Sequence, residues 1–139
     1  MNEISRRSAI AQLGVFTAVL AAPHTAAAQG QANQGREIRP GVRQIDLSPP
    51  RPSMIHGHKT VSMRDIVFQP GAEIPEHPMD NPMLCHVTEG ELSIRQDGKE
   101  FVAKKNDAWS CDKGTREGTK NNTSSVAIMR VIDFDLPAS

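Results

Sequence analysis

The side chains able to do chemistry in this chain are two cysteines, a few histidines and one unusually placed carboxylate. Cys85 and Cys111 are the only cysteines. An even count in an oxidising compartment makes a disulfide the default, with two free soft-donor thiols as the competing state. His56-x-His58 has metal-like spacing on one face of an extended segment. It follows Pro50 and Pro52, however, and reads as a solvated arm in front of the main domain. Glu117 sits in the run Gly114-Thr115-Arg116-Glu117-Gly118-Thr119, a Gly-bounded loop. It serves there either as a ligand or general base facing a pocket, or as a surface partner of Arg116 of little energetic weight. Trp109, the single tryptophan, reads as core. No G-x-S-x-G elbow, no Cys–His pair with an orienting partner and no Gly-rich phosphate loop occurs.

The elements that must position these groups read as strands. Val42–Leu47 alternates apolar with polar, and Ser48-Pro49-Pro50-Arg51-Pro52 is expected to break regular structure. Thr60–Gln69, Met83–Thr88, Glu91–Arg95, Glu100–Lys104, Asp107–Cys111 and Ser125–Phe134 follow as short strands with Gly and Pro punctuation. Asp97-Gly98 predicts a type I′ hairpin. No amphipathic helix stands out after the first residues. The expectation is an all-β fold, a single-domain barrel or sandwich filled by Val, Ile, Leu and Met. Alternation from Met83 turns Cys85 and Val87 to its face and His86 to the opposite one.

Gly71, His77 and Gly90 fall at the spacing of the first cupin motif (Gly, five residues, His-x-His, three or four residues, Glu, six residues, Gly). Met79 stands at the second His position and Met83 at the Glu position. Residues 106–121 shadow the second motif: Gly114 and Asn121 match, while Asn106, Asp112 and Glu117 replace its Gly, Pro and His. Over residues 60–135 the chain resembles the cupin family, strongly in spacing and weakly in side-chain chemistry. The resemblance implies a jelly-roll β-barrel that holds a metal or small ligand in its mouth, in a family of enzymes, binding proteins and storage proteins.

Such cupin sites hold Fe(II), Mn(II) or Zn(II) on three imidazoles and a carboxylate. The aligned positions here offer His77, Met79, Met83 and Glu117, and alternation adds Cys85. Imidazole, thioethers and a thiolate form a soft set that selects Cu(I) over iron or manganese. The competing reading is a metal-free barrel with Met79 and Met83 as core filler. Three functions remain open: a binding module for a soft metal or small ligand, a cupin dioxygenase, isomerase or lyase with an unusual ligand set, and a structural domain that forms a homodimer through residues 42–58.

The N-terminus carries an address. Arg6-Arg7 leads into the apolar run Ile10–Ala22, and Ala26-Ala27-Ala28 precedes Gln29. That is the layout of a cleavable secretory signal, residues 1–28, and Arg6-Arg7 resembles a twin-arginine signal for folded export. The apolar run is too short to span a bilayer, so no membrane association is expected after cleavage near Ala28, and the expected location is the periplasm. Cleavage removes Arg6, Arg7 and Glu3 and leaves 14 basic and 15 acidic side chains, with no basic patch for nucleic acid. Residues 29–58 read as a flexible N-terminal arm with one strand, and residues 59–139 as the barrel.

Overall fold

A computed structural model describes Gly30 and residues 33–138; the expected signal segment lies outside them. Ten strands follow in order: β1 (Arg36–Arg39), β2 (Val42–Pro52), β3 (Thr60–Phe68), β4 (Glu73–Pro78), β5 (Met83–Glu89), β6 (Glu91–Gln96), β7 (Lys99–Lys104), β8 (Ala108–Cys111), β9 (Arg116–Lys120) and β10 (Ala127–Asp135). They form two antiparallel sheets, a large one of order β1-β2-β3-β10-β5-β8 and a small one of order β4-β9-β6-β7. The alternating inward residues of both sheets, among them Ile66, Phe68, Val87, Leu92, Ile94 and Val131, make a largely aliphatic core with Phe68 inside it. The expected all-β jelly-roll is the fold observed.

Local chemistry explains the details. Asp97 (φ 46°) and Gly98 (φ 79°) both take the left-handed region, so the β6–β7 hairpin closes through the I′ turn that its sequence predicts. Gln96 faces Lys99 across it. Asn121, fully buried, clamps the return from β9 to β10. Its Nδ2 donates to the carbonyls of Phe68 (3.1 Å) and Ser125 (2.7 Å), and its Oδ1 accepts from the Thr123 amide and hydroxyl.

Three expectations are corrected. Residues 36–39 are not a flexible tail: they pair with β2, and the Arg43 guanidinium donates to the carbonyls of Gln34 and Gly35. β2 does not stop at Leu47 but runs through Pro52. β1 covers only its first residues, and the ladder to β3 shifts register between Asp46 and Arg51. Proline lacks an N–H, and a free edge with irregular pairing requires none from it. Finally, β4 and β9 were not anticipated. Pro75 and Pro78 are tolerated because β4 is the edge of the small sheet. Gly118 lies inside β9 because β4 crosses it closely; a Cβ there would stand 2.9 Å from the Glu76 amide nitrogen.

Candidate metal centre

The two sequence motifs meet as three cross-strand pairs, one in the small sheet and two in the large one. In the small sheet His77 of β4 faces Glu117 of β9. In the large sheet Met83 of β5 faces Cys111 of β8, and Cys85 faces Trp109. Strand alternation turns Met83, Cys85, Trp109 and Cys111 inward, toward the small sheet. Between the sheets lies a cavity of about 60 Å³ bordered by His77, Met79, Met83, Cys85 and Glu117, with Arg64 at its side. All five residues singled out by sequence are thus brought together. Arg64 also borders a wider groove of about 570 Å³ between β2, β3 and β10. Its guanidinium is tied to Asp133 through Nε (2.8 Å) and Nη2 (3.1 Å) and to Gln44 through Nη1. Burial alone would lower its affinity for the proton; the hydrogen bond and charge of Asp133 outweigh this and hold it above the ordinary guanidinium value.

The tightest part of the site is Cys85, Cys111 and Glu117. Their ligand atoms all lie within 4.8 Å of one another, and all three residues are buried. Glu117 is therefore not in a loop, as its flanking glycines suggested, but inside β9 with 3% of its surface exposed. Its Oε2 accepts three hydrogen bonds: from the Cys111 thiol (2.9 Å), the Trp109 indole N–H (3.0 Å) and the Gln96 amide (3.2 Å). Its Oε1 takes none of these. Among the described residues no buried side-chain oxygen lacks a partner, and Glu117 borders the cavity. One oxygen of the carboxylate is anchored by three donors.

The sulfurs are free thiols. The expected disulfide is not formed, because the two cysteines are offset by two residues along the β5–β8 ladder and the Cys111 thiol is turned to Glu117. Hydrogen bonding to Cys111, then burial, then the charge of Glu117 push the Cys85 thiol far above its ordinary range. Cys85 therefore keeps its proton until something displaces it.

His77 is largely exposed yet reaches the cavity wall. Its Nδ1 lies 3.0 Å from the Pro75 carbonyl oxygen. A carbonyl only accepts, so in the neutral ring Nδ1 carries the hydrogen and Nε2 the lone pair, the arrangement typical of a metal-binding imidazole. Met79 is buried in the loop after β4 and Met83 half-buried at the start of β5. His86 points to the other side of β5, opposite Arg130 and Ala108. His56 and His58 do not reach the cavity; His58 lies edge-on to Phe134 with ring centroids 5.8 Å apart.

Sequence reasoning missed three contributors. Cys111 was weighed as a disulfide partner or a free soft-donor thiol but not assigned to the site, though its place two residues from Trp109 puts both on one strand face. Trp109 packs edge-on against Phe101, as a core residue should, but its N–H serves Glu117. Gln96, beside the hairpin turn, carried no signal at all.

The metal of a conventional cupin does not fit this donor set. Only His77 keeps an imidazole at the aligned positions, two thioethers replace other donors, and a carboxylate stands where an imidazole would. Hard and borderline ions such as Mn(II) and Fe(II) are poorly served by thiols and thioethers.

Comparison with known proteins agrees with the fold. The cupin domain family matches residues 64–134. A cupin domain of Cnp3 from Schizosaccharomyces pombe is similar at TM-score 0.58 and 18% identity, covering 68% of this chain and 64% of that one. KdgF from Halomonas sp. is similar at TM-score 0.60 and 14% identity, covering 72% and 84%. An RmlC-like cupin from Shewanella frigidimarina is similar at TM-score 0.60 and 19% identity, covering 76% and 86%. No curated protein sequence matches significantly. At these identities the structural likeness speaks for the fold alone. With its motif spacing, its two facing sheets and the matched domain, this chain belongs to the cupin family.

Proposed function

We propose that this chain is an exported cupin whose barrel binds one soft metal ion, Cu(I) in preference to iron or manganese. Cys85, Cys111 and Glu117 would be its ligands, and His77, Met79 and Met83 would complete the wall around it. The observation that carries this reading is the convergence of two thiols and a carboxylate, all buried, within 4.8 Å. The neighbouring Cys111, burial and the charge of Glu117 hold the proton on Cys85, and a soft cation that replaces that proton supplies the positive charge the cluster lacks. A metal–sulfur bond of about 2.3 Å lets one ion span two sulfurs up to ~4.6 Å apart. Thiolate and thioether donors select Cu(I), and a cavity of about 60 Å³ suits an ion better than an organic substrate.

Metal analysis of the protein purified from copper-replete cells tests it. About one copper per chain is expected, lost in Cys85→Ser and Cys111→Ser variants. An empty site, or stoichiometric iron or manganese, sinks the reading; zinc would keep the ligands and overturn the copper preference. Export is tested separately by fractionation. Arg6→Lys with Arg7→Lys should hold the protein in the cytoplasm, and unchanged periplasmic yield would reject the twin-arginine route.

A further inference from the structure

We propose that Cys85 and Cys111 are an oxidative modification site, a dithiol that a peroxide converts to a disulfide, removing both sulfur donors from the buried cluster with Glu117. The two sulfurs lie within 4.8 Å of each other on the inward face of adjacent strands. Cys85 faces Trp109 and Cys111 faces Met83, so the cysteines are diagonal neighbours. Diagonal Cα atoms stand about 7–8 Å apart, beyond the ~6.8 Å that a disulfide spans without backbone movement. The remaining approach falls to β8. It is four residues long, lies at the edge of the large sheet and, among the described residues, pairs only with β5, so it moves inward without breaking a second ladder.

The partners for the chemistry are in place. The Cys111 thiol donates to Glu117 Oε2, so the carboxylate receives its proton as the sulfur attacks the peroxide O–O bond. Cys111 becomes a sulfenic acid, and the departing hydroxide takes that proton to leave as water. The Cys85 sulfur then attacks the Cys111 sulfur. An S–S bond forms, the S–O bond breaks, and hydroxide leaves with the Cys85 proton as a second water. Two thiols give up two electrons and one peroxide is reduced to two waters. Cys111 borders an open groove of about 510 Å³ shared with Ile55, His58 and Phe134, which gives a peroxide its route to that sulfur. Mutual exclusion of ion and disulfide rests on the soft-ion reading above; the dithiol chemistry does not.

The test uses the full reduced chain, metal-free, treated with hydrogen peroxide. The expected product has lost the mass of two hydrogens, no longer reacts with maleimide, shows one cross-linked peptide joining Cys85 to Cys111, and is restored by a phosphine. Oxygen added to either sulfur without a cross-link, or two thiols that survive, overturns the proposal. Cys111→Ser should leave Cys85 uncross-linked; if that variant does not fold, the wild-type peptide map decides alone. Silver(I), a soft ion inert to peroxide, added beforehand should slow the cross-linking by more than about tenfold. Cross-linking at an unchanged rate would leave the dithiol standing and reject the soft-ion site. Silver bound stoichiometrically, with no cross-link forming in the metal-free chain, would do the reverse.

Discussion

Loading the site must expel protons, and the number expelled can be counted from pH dependence. The Cys111 thiol is a hydrogen-bond donor to Glu117, so it carries its proton. Cys85 keeps its own because the bond to Cys111, burial and the nearby carboxylate all disfavour the thiolate. A soft cation bound to both sulfurs replaces two protons. Each displaced proton makes apparent affinity rise tenfold per pH unit, about 1.4 kcal/mol. Wild-type affinity should therefore rise about 100-fold per unit, or ~2.7 kcal/mol, while pH stays below the ordinary thiol range near 8.5. Cys85→Ser keeps a neutral side chain of similar size and removes one proton from the count. The variant should bind more weakly and rise only about tenfold per unit. The assay is competition for Cu(I) against a chromophoric chelator of known pH dependence, read as the slope of log affinity. A flat wild-type slope would refute the reasoning, as would equal slopes in wild type and variant.

Further outcomes follow from the same geometry. In the metal-free protein the raised Cys85 value makes the folded state hold a proton that the unfolded chain releases. Stability should be unaffected below about pH 8.5 and fall above it by ~1.4 kcal/mol per unit; chemical denaturation of Cys85→Ala should lose that slope. Gly118→Ala places a Cβ 2.9 Å from the Glu76 amide, pushing β4 off β9 and His77 away from Glu117; about 1–3 kcal/mol of stability should be lost, with weaker ion binding, by denaturation and competition titration. Asn121→Ala leaves the buried carbonyls of Phe68 and Ser125 without their donor. Thermal denaturation should show about 2–4 kcal/mol lost, and a loss under 0.5 kcal/mol would show that the clamp is not structural.

Much of the barrel was legible because its signals are local. Alternation in Met83–Thr88 marks Cys85 and Val87 as inward, Asp97-Gly98 closes its own turn, and the spacing of Gly71, His77 and Gly90 carries the family resemblance. The misreadings come where local chemistry is overruled by a neighbour. Pro49, Pro50 and Pro52 look like a break, yet they extend β2 along an irregular edge where no partner needs their missing N–H groups. Gly118 looks like a loop residue, yet it is the gap through which β4 reaches β9.

The site divides in the same way. Sequence alone determined which side chains are soft donors and, by alternation, which strand face each occupies. It did not determine which faces meet. That Cys111 turns to Glu117, with Trp109 and Gln96 beside it, depends on the register of β5 on β8 and on the packing of one sheet over the other. Register is set by pairing between segments distant in the chain, and a slip of one residue would turn either sulfur out of the barrel. Tertiary structure alone therefore decided that the two cysteines stand offset along the ladder, as two thiols beside a carboxylate.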